Sequence, residues 1–198
     1  MPVVEGREYR SFDLSGFEAA DGCVVEGYAT TFDAPYVFGC CGAKECIRSS
    51  ALDSADMSDV IFQYDHSGMV MARVRNGTLA LERDAHGLHV RADLSGTQRG
   101  RDLYDAIKAG LVDRMSWGFS VAEDGWEWDE QSRTSYVTKV DKVFDVSAVS
   151  IPANEDTVIS ARSYLDGVIE AERRESAQRR SNWLALSGAR LRLLGIGR

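Results

Sequence analysis

Leu79-Ala80-Leu81-Glu82-Arg83 runs into Asp84-Ala85-His86-Gly87, and beyond it Leu88, Val90, Ala92 and Leu94 alternate with His89, Arg91 and Asp93. A period of two puts the four apolar side chains on one face of an extended strand and the polar ones on the other. With a tight Asp-Ala-His-Gly turn between the two runs, the stretch reads as a hairpin buried on one side. The segments around it follow the same habit. Val24 to Phe32 is rich in β-formers and ends at Asp33-Ala34-Pro35, and Val60-Ile61-Phe62 is a short apolar run that stops at Tyr64-Asp65-His66. Met115 to Val121, Tyr136 to Val140 and Val143 to Ile151 supply further strands, the last ended by Pro152. One helix interrupts them. Thr97 is placed to cap it, Leu103, Ile107 and Leu111 recur every fourth residue, and Gly110 marks its end. The pattern predicts about seven strands with one or two helices: a mainly β, α+β fold built as a small closed barrel with helices around it.

Composition sets the limits. The 198 residues are 44% hydrophobic and 27% charged, a globular balance with room for one ordinary domain and an appendage. The net charge of −8 argues against a nucleic-acid binder, which needs clustered Lys and Arg. It is unevenly spread. From Arg162 onward eight arginines meet four carboxylates, so a +4 tail (residues 162–198) follows a −12 body (residues 1–161). Helical spacing runs from Val158 and Ala161 into the tail at Leu165, Val168 and Ile169, and the tail then turns Arg-, Glu- and Ser-rich, which predicts a partly disordered or removable helical segment. Met1 to Arg7 carries no apolar run and no apolar stretch is long enough to span a bilayer, so neither secretion nor a membrane partner is expected. Cys23, Cys40, Cys41 and Cys46 lack the spacing of a zinc site and read as free thiols; no cofactor or metal is expected.

Three histidines, at 66, 86 and 89, bound the chemistry. An α/β-hydrolase has its serine in G-x-S-x-G and its histidine last, whereas here every histidine precedes Ser116, and Arg114-Met115-Ser116-Trp117-Gly118 lacks the first glycine. A Ser-His-acid set in another chain order stays open. His66 follows an apolar strand at a polar turn and is the best candidate base; His86 lies in a turn and His89 on a polar strand face. Asp145 sits in the apolar run Val143 to Val149, where a carboxylate is costly without a polar partner such as an imidazole N–H.

Several ordered blocks resemble one family. They are Glu26-Gly27-Tyr28-Ala29 with Phe32-Asp33, Asp65-His66, Asp84 to Leu88, Gly100-Arg101-Asp102-Leu103-Tyr104 with Ile107 to Gly110, Met115-Ser116-Trp117-Gly118-Phe119, and Asp145-Val146-Ser147-Ala148-Val149 with Pro152-Ala153. Together they resemble the prohead (capsid-maturation) serine proteases of tailed bacteriophages, related in fold to the herpesvirus assemblins. The resemblance implies His66 as general base, Ser116 as nucleophile and Asp145 as third member, where the family usually has Glu. Backbone amides near Pro152-Ala153-Asn154 are the candidate oxyanion donors. It also implies a serine endopeptidase inside the assembling procapsid in the host cytoplasm, cleaving scaffold or the scaffolding region of the major capsid protein, and itself. A homo-oligomer stays open. The rival readings are a non-catalytic internal scaffold, in which His66 and Asp145 are a satisfied polar pair, and a degraded prophage relic.

Overall fold

The alternating hairpin forms as its pattern predicts. In a computed structural model, which describes residues 6–12, 18–20, 22–37 and 42–150, Leu79–Arg83 (β8) and Gly87–Asp93 (β9) pair antiparallel. Leu88, Val90, Ala92 and Leu94 are buried while Arg91 is exposed. Glu18–Ala20 (β2) and Val24–Thr31 (β3) complete this antiparallel sheet in the order β2-β3-β9-β8. A second sheet orders Trp126–Asp129 (β11), Thr134–Val137 (β12), Lys44–Ile47 (β5) and Tyr36–Val37 (β4), with β12 and β5 parallel. The third runs Glu8–Phe12 (β1), Arg114–Val121 (β10), Val140–Val149 (β13), Ile61–Tyr64 (β6) and Ser67–Arg73 (β7), with β13 and β6 parallel.

The expected closed barrel surrounded by helices does not form. Three separate open sheets take its place, since the end strands of each do not pair with one another, and a single α-helix lies among the described residues. The continuous reading of Tyr136 to Val140 hid the reason. The chain leaves the second sheet at Val137 and enters the third at Val140, so Thr138-Lys139 is a switch between sheets and the strands cannot share one hydrogen-bonded ring. Strands of two to five residues (β1, β2, β4, β5) show too few periods to be read from pattern.

The helix, α1, spans Gln98–Lys108. Thr97 Oγ1 accepts from Gly100 N at 2.9 Å, satisfying one of the first-turn donors. Gly110, at φ +70°, adopts the left-handed conformation that ends the helix. Leu103, Tyr104 and Ile107 are buried, but Leu111, read as the next member of the stripe, is 74% exposed because the helix has already stopped. One apolar cluster joins the helix to all three sheets through Val25, Leu88 and Val90, Ile47 and Val137, and Phe62, Trp117 and Phe119.

A buried ion pair ties the second and third sheets together. Arg10 of β1 donates from Nε to Glu45 Oε1 at 2.5 Å and from Nη2 to Oε2 at 2.7 Å, and from Nη1 to Glu8 Oε2 at 3.1 Å; the Tyr36 hydroxyl also donates to Glu45. Burial opposes the guanidinium charge, yet the neighbouring carboxylates raise its pKa above the ordinary value, while burial pushes the Tyr36 phenol well up. Removing Glu45 takes away the two-pronged contact and leaves Glu8 as the other named carboxylate beside the buried guanidinium. Glu45→Leu should therefore cost up to about 3–5 kcal/mol in urea unfolding. A Glu45→Leu protein as stable as the parent would contradict this.

Candidate active site

The register of three strands in the third sheet fixes the site. Ser116 pairs with Ser147 and Gly118 with Asp145 between β10 and β13, while Ser11 and Tyr9 of β1 pair with Ser116 and Gly118. Directly paired residues share a face, as do residues two apart on one strand. Ser116, Gly118, Asp145, Ser147 and Tyr9 thus crowd one face, while Met115, Trp117 and Phe119 join the apolar cluster. Ser116 and Asp145 are diagonal neighbours across the β10–β13 pair. That diagonal is about 7–8 Å, too long for a hydroxyl to reach a carboxylate and a fit for an imidazole between them.

The β6–β7 turn supplies the imidazole. Tyr64 pairs with Ser67, leaving Asp65 and His66 as a two-residue hairpin loop. Both lie at positive φ (+48° and +52°), as a type I′ turn requires. Such turns favour Asn-Gly, so a histidine at its second position is held there against its own preference. What holds it is the end of β13 and the residue that follows: Asp65 N donates to Ala148 O at 3.0 Å, and Ser150 N donates to Asp65 Oδ1 at 3.3 Å. The strand that carries Asp145 also anchors the turn that carries His66.

Asp145 Oδ1 is hydrogen-bonded to His66 Nδ1, and His66 Nε2 lies 2.6 Å from Ser116 Oγ. With the proton on Nδ1 facing the carboxylate, Nε2 is the acceptor for the serine hydroxyl. His66 is 7%, Ser116 0% and Asp145 3% exposed, so water screens this line of bonds little. Ser147 Oγ donates to the same Asp145 oxygen at 3.1 Å. Ser116 Oγ also lies 2.8 Å from the Arg10 carbonyl, a second acceptor that competes with His66 for the single hydroxyl hydrogen.

Tyr9 and Gly118 complete the packing. The Tyr9 ring stands edge-on to the imidazole, with centroids 4.6 Å apart and planes at 68°. Burial raises its phenol above the ordinary pKa, which a hydrogen bond with Arg7 partly offsets. A Cβ on Gly118 would lie 2.5 Å from Asp145 Oδ2 and 2.8 Å from the Tyr9 ring. The glycine is there to make room for the carboxylate.

The structure brings together His66, Ser116 and Asp145. His86 and His89 lie apart, on the β8–β9 turn and on β9, where both pack edge-on against Tyr28 at 4.6 and 5.1 Å. Cys46 is buried and Cys23 half-buried, both free thiols; Cys40, Cys41 and the amides of Pro152 to Asn154 lie outside the described residues, as does the tail. Among the described residues no three His, Cys, Asp or Glu side chains cluster as metal ligands, and no helix is long and apolar enough to cross a membrane. Tyr9 and Ser147 were missed from sequence. Ser147 carried a signal, being two residues from Asp145 and so on its face. Tyr9 carried none, because β1 is placed by pairing alone.

A serine hydroxyl, an imidazole and a carboxylate in one hydrogen-bonded line define a Ser-His-acid constellation. The chain belongs to the caudovirus prohead serine protease family, whose model matches residues 10–168. It is 33% identical over 106 residues to the prohead protease of Enterobacteria phage HK97, a match covering 53% of this chain and 44% of that protein. It is 25% identical over 161 residues to the prohead protease of Escherichia phage T5, covering 80% of this chain and 72% of the relative. The match therefore spans less than half the length of the HK97 relative. No solved structure matches the chain.

Gly118→Ala must push the Asp145 carboxylate or Tyr9 aside. A displacement of about 1 Å in such a site costs on the order of 10²-fold in rate. If the constellation cleaves peptides, cleavage by the Gly118→Ala protein should fall at least that far while its circular dichroism stays that of the parent; undiminished cleavage would contradict the packing argument.

Proposed function

We propose that this chain is a serine endopeptidase of phage procapsid maturation, with Ser116 as nucleophile, His66 as general base and Asp145 as the acid that orients it. The observation that carries the reading is the continuous line from Asp145 through His66 to the Ser116 hydroxyl. In the reaction, Nε2 takes the Ser116 proton as Oγ attacks the scissile carbonyl carbon, forming a tetrahedral intermediate. The imidazolium then gives that proton to the leaving amine as the C–N bond breaks, leaving an acyl-serine. A water, deprotonated by His66, releases the carboxylate product and restores Ser116. Asp145 keeps the proton on Nδ1 and stabilises the imidazolium throughout. Aspartate is one methylene shorter than the family's usual glutamate. The missing length is made up by its place opposite Gly118, where no side chain keeps the carboxylate from the ring.

The substrates we propose are scaffold, or the scaffolding region of the major capsid protein, and the chain itself, within the assembling procapsid in the host cytoplasm. The basic tail suits recruitment by an acidic scaffold surface at modest ionic strength. Co-expression with the capsid protein of its own phage, read by mass spectrometry, tests the reading. The parent should yield a truncated capsid protein, and Ser116→Ala or His66→Ala should lower the rate on the order of 10⁴- to 10⁶-fold, with the double variant little worse than either. Asp145→Asn should leave more residual rate than loss of Ser116 or His66, because it removes orientation rather than bond-making. Processing by Ser116→Ala at the parent's rate would favour the non-catalytic scaffold.

A further inference from the structure

On the reading just proposed, we infer that the edge of β7 and the cavity beside it hold the substrate: the peptide lies along β7 as an added strand and places a bulky apolar side chain in the cavity. The strand begins one residue after His66 and forms the outer edge of the third sheet. Its pairing with β6 slips, because Ser67 pairs with Tyr64 and the next pair along is Ala72 with Phe62. Gly68 to Met71 therefore face Gln63 alone, whose side chain donates to Gly68 O at 3.2 Å. Ser67, Gly68 and Met69 are exposed. A strand at the edge of a sheet presents main-chain groups on its outer side, a template for an added strand, and this one adjoins the general base.

The cavity adjoins that edge, since Ser67, Gly68, Met69 and Met71 of β7 line it. It measures about 420 Å³, within the range of ligand pockets. Met69 and Met71, two apart on β7, line it together with Leu103 and Ala106 of α1 and Val112. Of the lining residues, Ser67 directly follows His66 in the chain and Val112 lies four residues before Ser116. Two methionines give it adaptable walls. Met69, 46% exposed, is an apolar surface side chain that a bound peptide would cover. Arg99 and Asp102 of α1 bring the polar groups of the lining. A site of this build selects bulky apolar side chains over small or charged ones.

A synthetic peptide library, varied at each position around the bond that the parent cleaves, tests this. At one position the parent should prefer Leu, Met or Phe over Ala by about 10-fold or more in kcat/KM. Ala106→Phe should erase that preference, with the Ala peptide still cleaved. Met69→Glu, at an exposed site that cannot unfold the core, should move the preference toward Lys and Arg. N-methylation of alternate peptide amides beside that position should raise KM. No apolar preference in the parent, or a profile that both variants leave unchanged, would overturn the subsite; N-methylation tolerated everywhere would overturn the added strand. Parent cleavage that survives Ser116→Ala would instead remove the serine-protease reading itself.

Discussion

The register of β13 between β10 and β6 is the constraint on which the rest depends. With Asp145 opposite Gly118 and Ser147 opposite Ser116, one face of the sheet carries a carboxylate, a hydroxyl and a space for a ring. A slip of one residue would turn Asp145 toward the apolar cluster and bring Val146 to the site. Val146 and Ala148 are anchored in that cluster, so burial of the alternate residues sets the positions of the polar ones. Beyond Gly118 the register shifts, so the bulge falls just past the residues the site uses.

β1 makes the same point from the other side. Tyr9 faces the imidazole and the next residue, Arg10, points the opposite way to Glu45 in the second sheet. One strand thus packs the site through its odd residue and ties two sheets together through its even one. The arrangement also brings the Arg10 carbonyl to the Ser116 hydroxyl, so the strand that supports the site offers its serine an alternative acceptor. The single Ser116 hydroxyl hydrogen can go either to His66 Nε2 or to the Arg10 carbonyl.

The residues of the site were more legible than the sheets that hold them. Asp145 stood out as a carboxylate in an apolar run, and His66 as a polar turn after a buried strand, because each breaks a local pattern. That they meet is a long-range fact, since His66 and Asp145 are 79 residues apart, and no local period encodes it. The resemblance to a known family gave the meeting; the strand registers give its physical cause. The barrel failed because closure depends on which strands pair, and the turn from β12 into β13 looked like a continuous strand. Leu111 kept its four-residue spacing past the glycine that ends the helix, so period alone carried it too far. Gly118 was visible as a small residue, but its role follows only from what a Cβ there would meet.

The central claim is that Ser116 is a nucleophile activated by His66. The most direct test is the adduct mass after treating the purified chain with a fluorophosphonate, located by peptide mapping. We predict one adduct, on the peptide containing Ser116, formed in the parent and suppressed in His66→Ala. An adduct confined to another serine, or labelling of Ser116 at the same rate without the imidazole, would contradict the account.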